Sequence, residues 1–396
     1  MGSYDPEMDG YVPPEISLRS LTIGEKIGEG SFSEVYRGVV RGEDGSCENV
    51  IAKAYKKNVR GRDWFSFYAD ERATCRRLAE TNCAGVAPFL GVCGSDAYLV
   101  WKDVGVVTLE TCLEDAADAE AAFAALADAF GGARDRRERG DAGEDGDRAT
   151  PAAAKARAEL FLRLAKSLLE AVCELHANEV VHRDVKPENV LLTDSANGAA
   201  PRALLVDLGG AADFVNAVNV DPSETIFDPT YGAPEQFTRD DSRRGADAIP
   251  IARANPIADA LAKLGVPGLG GVGSDRAAGL SASGAAPTPG LDAFALGLTL
   301  LRVATPALYS ADAMARARRA MDAAADRLGD PAGTELRGSS SVLDAWASGP
   351  GGESCDFALL DAAQARSLVD GLATWNPDTR LTPREALDHP CFDALK

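Results

Sequence analysis

His182-Arg183-Asp184-Val185-Lys186-Pro187-Glu188-Asn189 sets a carboxylate, an ammonium two residues on and a side-chain amide five residues on within one short loop. The carboxylate can take a proton from a hydroxyl, the ammonium can neutralise a transferring phosphoryl group, and the amide oxygen can bind a hard metal ion. The loop therefore points to phosphoryl transfer. A match this short also fits an ordinary link between a helix and a strand, so its weight rests on what flanks it.

Upstream, Gly28-Glu29-Gly30-Ser31-Phe32-Ser33-Glu34-Val35 lies between two strand-like runs, Leu21 to Ile27 and Val35 to Val40. Glycines there let backbone amides approach an anion with no Cβ in the way. Ser33 stands where a third glycine would fall, and a glycine-rich hairpin alone also reads as a turn. No Gly-Lys-Ser/Thr ending follows, which argues against a Walker-type site. Val50-Ile51-Ala52-Lys53 is a short apolar strand ending in a cation, where a phosphate-holding lysine is expected. In the helical stretch Trp64 to Leu78, Glu71 lies among the apolar stripe Phe67, Cys75 and Leu78 and is expected to face inward toward Lys53. Glu80 competes for that role but lies at the helix end beside Asn82.

Downstream, the apolar run Ala203-Leu204-Leu205-Val206 delivers Asp207-Leu208-Gly209, with a carboxylate where Mg²⁺ would be chelated and Leu208 where a phenylalanine is usual. Leu208 keeps apolar packing against the Glu71 helix available. Ala233-Pro234-Glu235 follows, with Arg380 the expected buried partner of Glu235. Asp292, at the head of Asp292-Ala293-Phe294-Ala295-Leu296-Gly297, is expected to brace the backbone at His182 and Arg183.

These pieces, in this order, resemble the signature set of the eukaryotic protein kinases. The resemblance implies an α+β, bilobal kinase fold: a small β-rich N-lobe with one key helix, and a large, mostly α-helical C-lobe. It implies ATP and Mg²⁺ as cofactors, with Asp184, Lys186, Lys53 and Glu71 catalytic and Asn189 and Asp207 binding the metal. The expected nucleotide-binding residues are Ile27, Gly28, Gly30, Val35, Ala52, Lys53, Trp101, Lys102, Val104 and Leu191. Trp101, ending the strand Tyr98 to Trp101, stands at the back of the adenine pocket and also reads as core packing. Backbone groups of Lys102, Asp103 and Val104 form the hinge.

The expected domains are a flexible arm at 1–14, an N-lobe at 15–103 and a C-lobe at 104–396 with insertions at about 114–156 and 238–290. Leu160, Leu164, Leu168, Val172 and Leu175 recur at helical spacing and mark the helix leading into the catalytic loop. The first insertion opens as an alanine-rich helix and becomes a charged loop; the second reads as a solvated insertion or a partner-docking surface.

With 396 residues and 45% apolar content, the chain is long enough for two lobes with cores. A net charge of −20 disfavours nucleic acid and anionic lipid and favours a basic peptide substrate. Eight cysteines without CxxC or zinc spacing read as buried, reduced thiols. No apolar run reaches the roughly 18 residues of a membrane helix, and neither a signal segment nor a myristoylation site is present. The chain is therefore expected to be soluble, with no membrane segment of its own.

Four segments narrow the resemblance: Val181 to Asn189; Asp207-Leu208-Gly209-Gly210-Ala211-Ala212-Asp213; Phe227-Asp228-Pro229-Thr230-Tyr231-Gly232-Ala233-Pro234-Glu235-Gln236; and Leu99 to Lys102. Across about 21–396 the chain resembles the chloroplast state-transition kinases that phosphorylate light-harvesting antenna proteins. This implies Ser/Thr phosphorylation of basic N-terminal antenna segments on the stromal face of the thylakoid, in response to plastoquinone redox state. Members carry a luminal cysteine pair and a transmembrane segment ahead of the kinase domain. Neither is found here, so the chain looks like an isolated catalytic domain.

Asp228 departs from the pattern by replacing the threonine that Ser/Thr kinases usually place there, which leaves tyrosine phosphorylation open. Arg183 offers a basic pocket for a phosphate on Ser223, Thr225 or Thr230, with Glu224 a partial substitute. A silent kinase-fold scaffold would lose one of Lys53, Asp184, Asn189 or Asp207, and all are kept. A small-molecule phosphotransferase would usually lack Ala233-Pro234-Glu235.

Overall fold

In the computed structural model, the alternating apolar runs at the start of the chain become a six-stranded sheet in the order β1-β5-β6-β4-β3-β2. Its strands are β1 (Glu15–Ile16), β2 (Leu21–Glu29), β3 (Ser33–Arg41), β4 (Cys47–Tyr55), β5 (Phe89–Cys93) and β6 (Tyr98–Lys102). β1 pairs with β5 in parallel, and the other neighbours are antiparallel. The structure describes residues 15–16, 20–30, 32–56, 64–93, 98–114, 116, 118–130, 151–193, 200–220, 227–239, 280–282, 287–327, 342–347 and 356–396. They divide between two compact units, within Met1–Val104 and Gly105–Lys396.

In the first unit, alternation along each strand splits the apolar residues between two faces. Leu21, Val50, Cys93 and Val100 close one core cluster. Tyr55, Tyr68 and Leu99 close the other, joined by Phe67, Phe89 and Trp101. The second cluster packs under helix α1 (Trp64–Glu80), whose buried residues Tyr68, Glu71, Thr74, Cys75 and Leu78 repeat at helical spacing. Full burial of a residue such as Leu99 contributes about 1.5–3 kcal/mol. Lys53 lies two positions from Tyr55 in β4 and shares its face, so strand alternation and helix period bring Lys53 and Glu71 together.

The second unit is built on α4 (Pro151–Ala177), reached through α2 (Leu109–Glu114) and α3 (Ala119–Phe130). Leu160, Leu164, Leu168, Val172 and Leu175 are all buried in α4, as their spacing predicts. Of the stretch 114–156, α3 is a packed helix burying Ala122, Phe123, Leu126, Ala127 and Phe130, and residues from Pro151 already belong to α4. The charged run 131–150 lies outside the described residues, as do the arm 1–14 and residues 240–279. The ends of the second insertion pair as an antiparallel ribbon, β11 (Phe237–Arg239) with β12 (Leu280–Ala282).

Between these lie β7 (Val180–Val181), the hairpin β8 (Val190–Thr193) with β9 (Arg202–Leu205), and β10 (Ala212–Asp213), which pairs with β7. Helix α5 (Pro289–Ala304) carries apolar residues on every side and is buried from Leu291 to Ala304, as an all-round apolar helix requires. Around the core stand α6 (Ala311–Arg327), α7 (Val342–Ala347), α8 (Ala358–Ala362), α9 (Arg366–Leu372) and α10 (Pro383–Leu387). Among the described cysteines five are buried, Cys173 is half-buried and Cys47 is exposed; Cys355 lies outside the described residues.

Gly297 marks a close approach to neighbouring backbone within this core. A Cβ built there would stand 2.7 Å from the backbone nitrogen of Ala373 and 3.0 Å from Cβ of Leu372. Those atoms belong to α9 and its end, and backbone cannot swing aside. Gly297→Ala is expected to cost about 2 kcal/mol by overpacking, read as a lower urea midpoint with unchanged slope. A loss under about 0.5 kcal/mol, the ordinary range of surface substitutions, would show that α9 yields.

Candidate active site

Among the described residues of the first unit, Lys53 is a buried cation and it is paired. Lys53 Nζ lies 3.0 Å and 2.8 Å from the two oxygens of Glu71, and both residues are buried. The Tyr55 hydroxyl also donates to Glu71. Burying one ion alone would cost several kcal/mol, so the pair and its added donor are what make both charges tolerable here. Glu80, the competing carboxylate, pairs instead with Arg76 at 3.0 Å on the surface of α1.

The glycine-rich loop is stapled within the same unit. Gly30 N–H donates to the carbonyl of Ser33, and Lys56 Nζ reaches Glu29 at 2.6 Å and the Gly30 carbonyl at 2.8 Å. Phe32 stacks on Phe67 of α1 with ring centroids 4.9 Å apart, one turn before Glu71. Ser31 lies outside the described residues. A Cβ added at Gly28 or Gly30 would meet its nearest neighbour at 3.6 Å, an ordinary contact. Crowding inside the protein therefore does not demand glycine at either position; glycine there keeps the backbone open to something outside it.

Val35 pairs with Gly28 and with Lys53 in the sheet, Ala52 is fully buried, and Ile27 is half-buried. Trp101 packs edge-on to Phe89, 5.4 Å between ring centroids. At the expected hinge, the Lys102 N–H is taken by the Pro88 carbonyl at 2.9 Å and the Asp103 N–H by the Asn49 carbonyl at 3.0 Å. Both amides are thus spent within the first unit.

In the second unit the catalytic loop hangs on one carboxylate. Asp292, in the first turn of α5 and fully buried, accepts the His182 N–H at 2.8 Å and the Arg183 N–H at 2.7 Å, and bonds His176 Nε2 at 2.8 Å. Burial works to raise its pKa, but the His176 bond and the charges and amide of the loop outweigh it and hold it below the usual carboxylate value. Arg183 sits in the left-handed region at φ 67°, with its Nε on the Gly210 carbonyl at 2.6 Å; burial lowers its pKa to about 10.

From this base Asp184 projects with three partners: Lys186 Nζ at 3.1 Å and Asn189 Nδ2 at 2.9 Å on one oxygen, and the Asp228 N–H at 3.3 Å on the other. Lys186 also lies 3.6 Å from the Asp228 carboxylate. Burial acts to lower the Lys186 pKa, yet Asp184, Asp228 and Glu188 together hold it above the ordinary lysine range. Pro187–Asn189 forms a single 3-10 turn leading into β8, where Leu191 pairs with Leu204. The Val206 N–H bonds the Asn189 carbonyl at 3.0 Å, which sets Asp207 next in the chain to Asn189. Asp207 adopts a left-handed conformation, φ 63° and ψ 73°, ahead of the buried Leu208.

The segment after the catalytic loop is clamped by three arginines, of which only Arg380 was legible in advance. It binds Glu235 at 2.6 Å and 2.9 Å. Arg302 of α5 donates to the Tyr231 hydroxyl at 2.9 Å and to both oxygens of Glu110 at 2.6 Å and 2.7 Å. Arg318 of α6 holds the carbonyls of Thr230 at 3.0 Å and Gly232 at 2.7 Å. An arginine inside the apolar run of α5 was the available signal for Arg302. The Thr230 N–H is capped by Asp228, and Ser223, Glu224 and Thr225 lie outside the described residues.

The donors suit Mg²⁺. Asn189 commits its amide protons to the Asp184 carbonyl at 2.8 Å and carboxylate at 2.9 Å, which turns its Oδ1 to the other side. An amide oxygen with the Asp207 carboxylate is a hard, oxygen-only set of the kind Mg²⁺ shares with phosphates and water. Among the described residues no three His, Cys, Asp or Glu gather as a protein-only metal cage.

A buried lysine–glutamate pair under a glycine-rich loop, and a carboxylate, lysine and asparagine on one braced loop, define a protein kinase. The model of the family described as "Protein tyrosine and serine/threonine kinase" matches residues 21–248, and the chain belongs to that family. It is 25% identical over 395 residues to the chloroplastic serine/threonine-protein kinase STN7 of Arabidopsis thaliana, covering 96% of this chain and 58% of that protein. It is 24% identical to the chloroplastic serine/threonine-protein kinase STN8 of the same plant, over 76% of this chain and 58% of the relative. The chain thus spans less than two thirds of either relative. A crystal structure of an Stt7 homolog from Micromonas algae soaked with ATP shares the fold, with a TM-score of 0.61, 20% identity and coverage of 96% of this chain and 94% of the other. Among the described residues, no helix is long and apolar enough to cross a membrane.

Asp292→Ala strips the partner from two buried backbone amides, and a loss of about 3 kcal/mol is expected at neutral pH. Because the folded pKa of Asp292 is depressed, its contribution is complete above the unfolded value of about 3.9 and fades as pH falls through the lower folded value. Urea unfolding from pH 7 into the acid range should show the gap between wild type and variant closing there. Parallel acid slopes would mean that Asp292 does not carry the linkage.

Proposed function

We propose that this chain is the catalytic part of an ATP-dependent protein kinase of the thylakoid state-transition kind, acting on serine and threonine of protein substrates. The observation that carries the reading is the catalytic loop, where Asp184 lies 3.1 Å from the Lys186 ammonium and 2.9 Å from the Asn189 amide. Asp184 orients the acceptor hydroxyl and takes its proton as the γ-phosphate transfers. Lys186 neutralises the charge on that phosphoryl group, and Lys53, fixed by Glu71, holds the α- and β-phosphates. Gly28 and Gly30 let the loop backbone approach the phosphates. Ile27, Val35, Ala52, Trp101 and Leu191 line the base, and Lys102 and Val104 meet it through backbone groups other than the Lys102 N–H. Asn189 and Asp207 would hold Mg²⁺, which when bound supplies positive charge to the phosphate oxygens.

The relatives' names support serine and threonine as acceptors and a chloroplast setting. The Asp228 carboxylate beside Lys186 keeps tyrosine as a second acceptor. The substrates in this reading are basic N-terminal segments of light-harvesting antenna proteins at the stromal face of the thylakoid, an acceptor chemistry that suits a chain of net charge −20.

The test is incubation of the chain with Mg²⁺ and γ-labelled ATP, alone and with a basic, threonine-containing antenna peptide. Label on the threonine that falls at least about 100-fold in Asp184→Asn is expected for loss of the general base. ATP binding with no label on chain or peptide would replace the enzyme reading with a nucleotide-binding scaffold.

A further inference from the structure

We propose that Lys56 is a positioning residue for ATP. Its ammonium clasps the tip of the glycine-rich loop by Glu29 and the Gly30 carbonyl and holds both away from the phosphates. The proposal rests on the nucleotide reading of that loop. Lys56 Nζ lies 2.6 Å from Glu29 Oε1 and 2.8 Å from the Gly30 oxygen, and its backbone N–H donates to the Phe32 carbonyl at 2.8 Å. The Ser33 carbonyl accepts the Gly30 N–H at 2.8 Å. The carbonyls of Gly30, Phe32 and Ser33 are thus all bonded within the protein, and Lys56 holds the first two. A carbonyl oxygen left loose beside a phosphate would repel it, whereas backbone amides attract it.

Register sets the face on which this happens. Val35 pairs with Lys53 and Glu34 with Ala54, and side chains alternate along a strand, so Glu34 stands on the face opposite Lys53. Glu29 pairs directly with Glu34 and shares that face. Two carboxylates opposite each other repel, and two lysines offset them. Lys26 bonds Glu29 Oε2 and reaches Glu34 at 2.8 Å, while Lys56 takes the other oxygen of Glu29. The bonds from Lys26 and then Lys56 hold the Glu29 carboxyl down to about 2, so it stays ionised at neutral pH. A full negative charge therefore sits between two loop glycines, and without Lys56 it would keep only a share of Lys26. Lys53 serves the phosphates from one face, and Lys56 draws the carboxylate and the carbonyl to the other.

Equilibrium binding of Mg²⁺-ATP and of adenosine, with no acceptor present, tests the clasp without turnover. Lys56→Met should raise the Kd for ATP about fivefold, the size a surface contact can reach, and leave the Kd for adenosine within about twofold. Adenosine has no phosphate to meet the loop, so a general loosening of the unit would instead weaken both ligands together. Lys56→Arg keeps the charge and the reach and should bind ATP within about twofold of wild type.

A double-mutant cycle separates the clasp from plain attraction between Lys56 and the phosphates. With Glu29→Gln in place the charge that Lys56 restrains is gone, and Lys56→Met should then change the ATP Kd by less than about twofold. Equal effects of Lys56→Met in the two backgrounds, equal weakening of ATP and adenosine, or a Lys56→Met chain that binds ATP as wild type does would each overturn the proposal. A wild-type chain that binds neither ligand would remove the nucleotide reading itself, and the proposal with it.

Discussion

The catalytic loop depends on a single buried carboxylate. Asp292 supplies one oxygen to the His182 amide and the other to the Arg183 amide, and its contact with His176 closes the set. Arg183 is held in the left-handed region, a conformation that costs a non-glycine residue about 1–3 kcal/mol. Two hydrogen bonds to a charged acceptor, each worth about 1.5–3 kcal/mol, offset that strain. Asp292 can stay ionised in a dry interior because the His176 bond and the charges and amide of the loop outweigh its burial, and its place in the first turn of α5 sets it where a helix dipole favours a negative charge. Helix α5, buried from Leu291 to Ala304, thus converts apolar packing into fixed positions for Asp184 and Lys186.

The buried ion pairs follow the same logic. Lys53–Glu71, Arg302–Glu110 and Arg380–Glu235 each cost desolvation that their mutual attraction roughly repays, so they are poor sources of net stability. What they supply is direction. Each carries further bonds that fix its angle: the Tyr55 hydroxyl on Glu71, Tyr231 and the Tyr309 carbonyl on Arg302, and the Thr374 and Gly290 carbonyls on Arg380. An exposed pair such as Lys155–Glu159 at 3.8 Å has no such frame, and solvent screening leaves it little influence on geometry or stability.

What was legible in the sequence was what short-range periodicity controls. Lys53 and Glu71 could be paired in advance because a strand alternates and a helix repeats, and the five α4 positions from Leu160 to Leu175 could be assigned to a core for the same reason. The extent of α4 was not visible, since the alanines after Pro151 carry no strong apolar stripe. The bonds of the Lys102 and Asp103 amides to the carbonyls of Pro88 and Asn49 were not visible either, because they depend on register across the sheet, which local sequence does not encode. The Glu110–Arg302 pair joins residues 192 apart, and Arg318 acts on backbone carbonyls, which leave no trace in residue type.

Three departures from the common kinase pattern are not physically equal. Ser33 opens β3 in register with Tyr55, so its backbone serves the sheet and makes no demand for glycine. Leu208 is buried and apolar, a change of shape within one chemistry. Asp228 alone changes the charge, setting a second carboxylate against the one ammonium of the catalytic loop. Two carboxylates on one lysine leave a net negative cluster, and the turn from Asp228 to Gly232 is bonded too thoroughly for the second carboxylate to swing away. At this short range the pairing of Lys186 with Asp228 is screened by salt far less than the chain's exposed charges are.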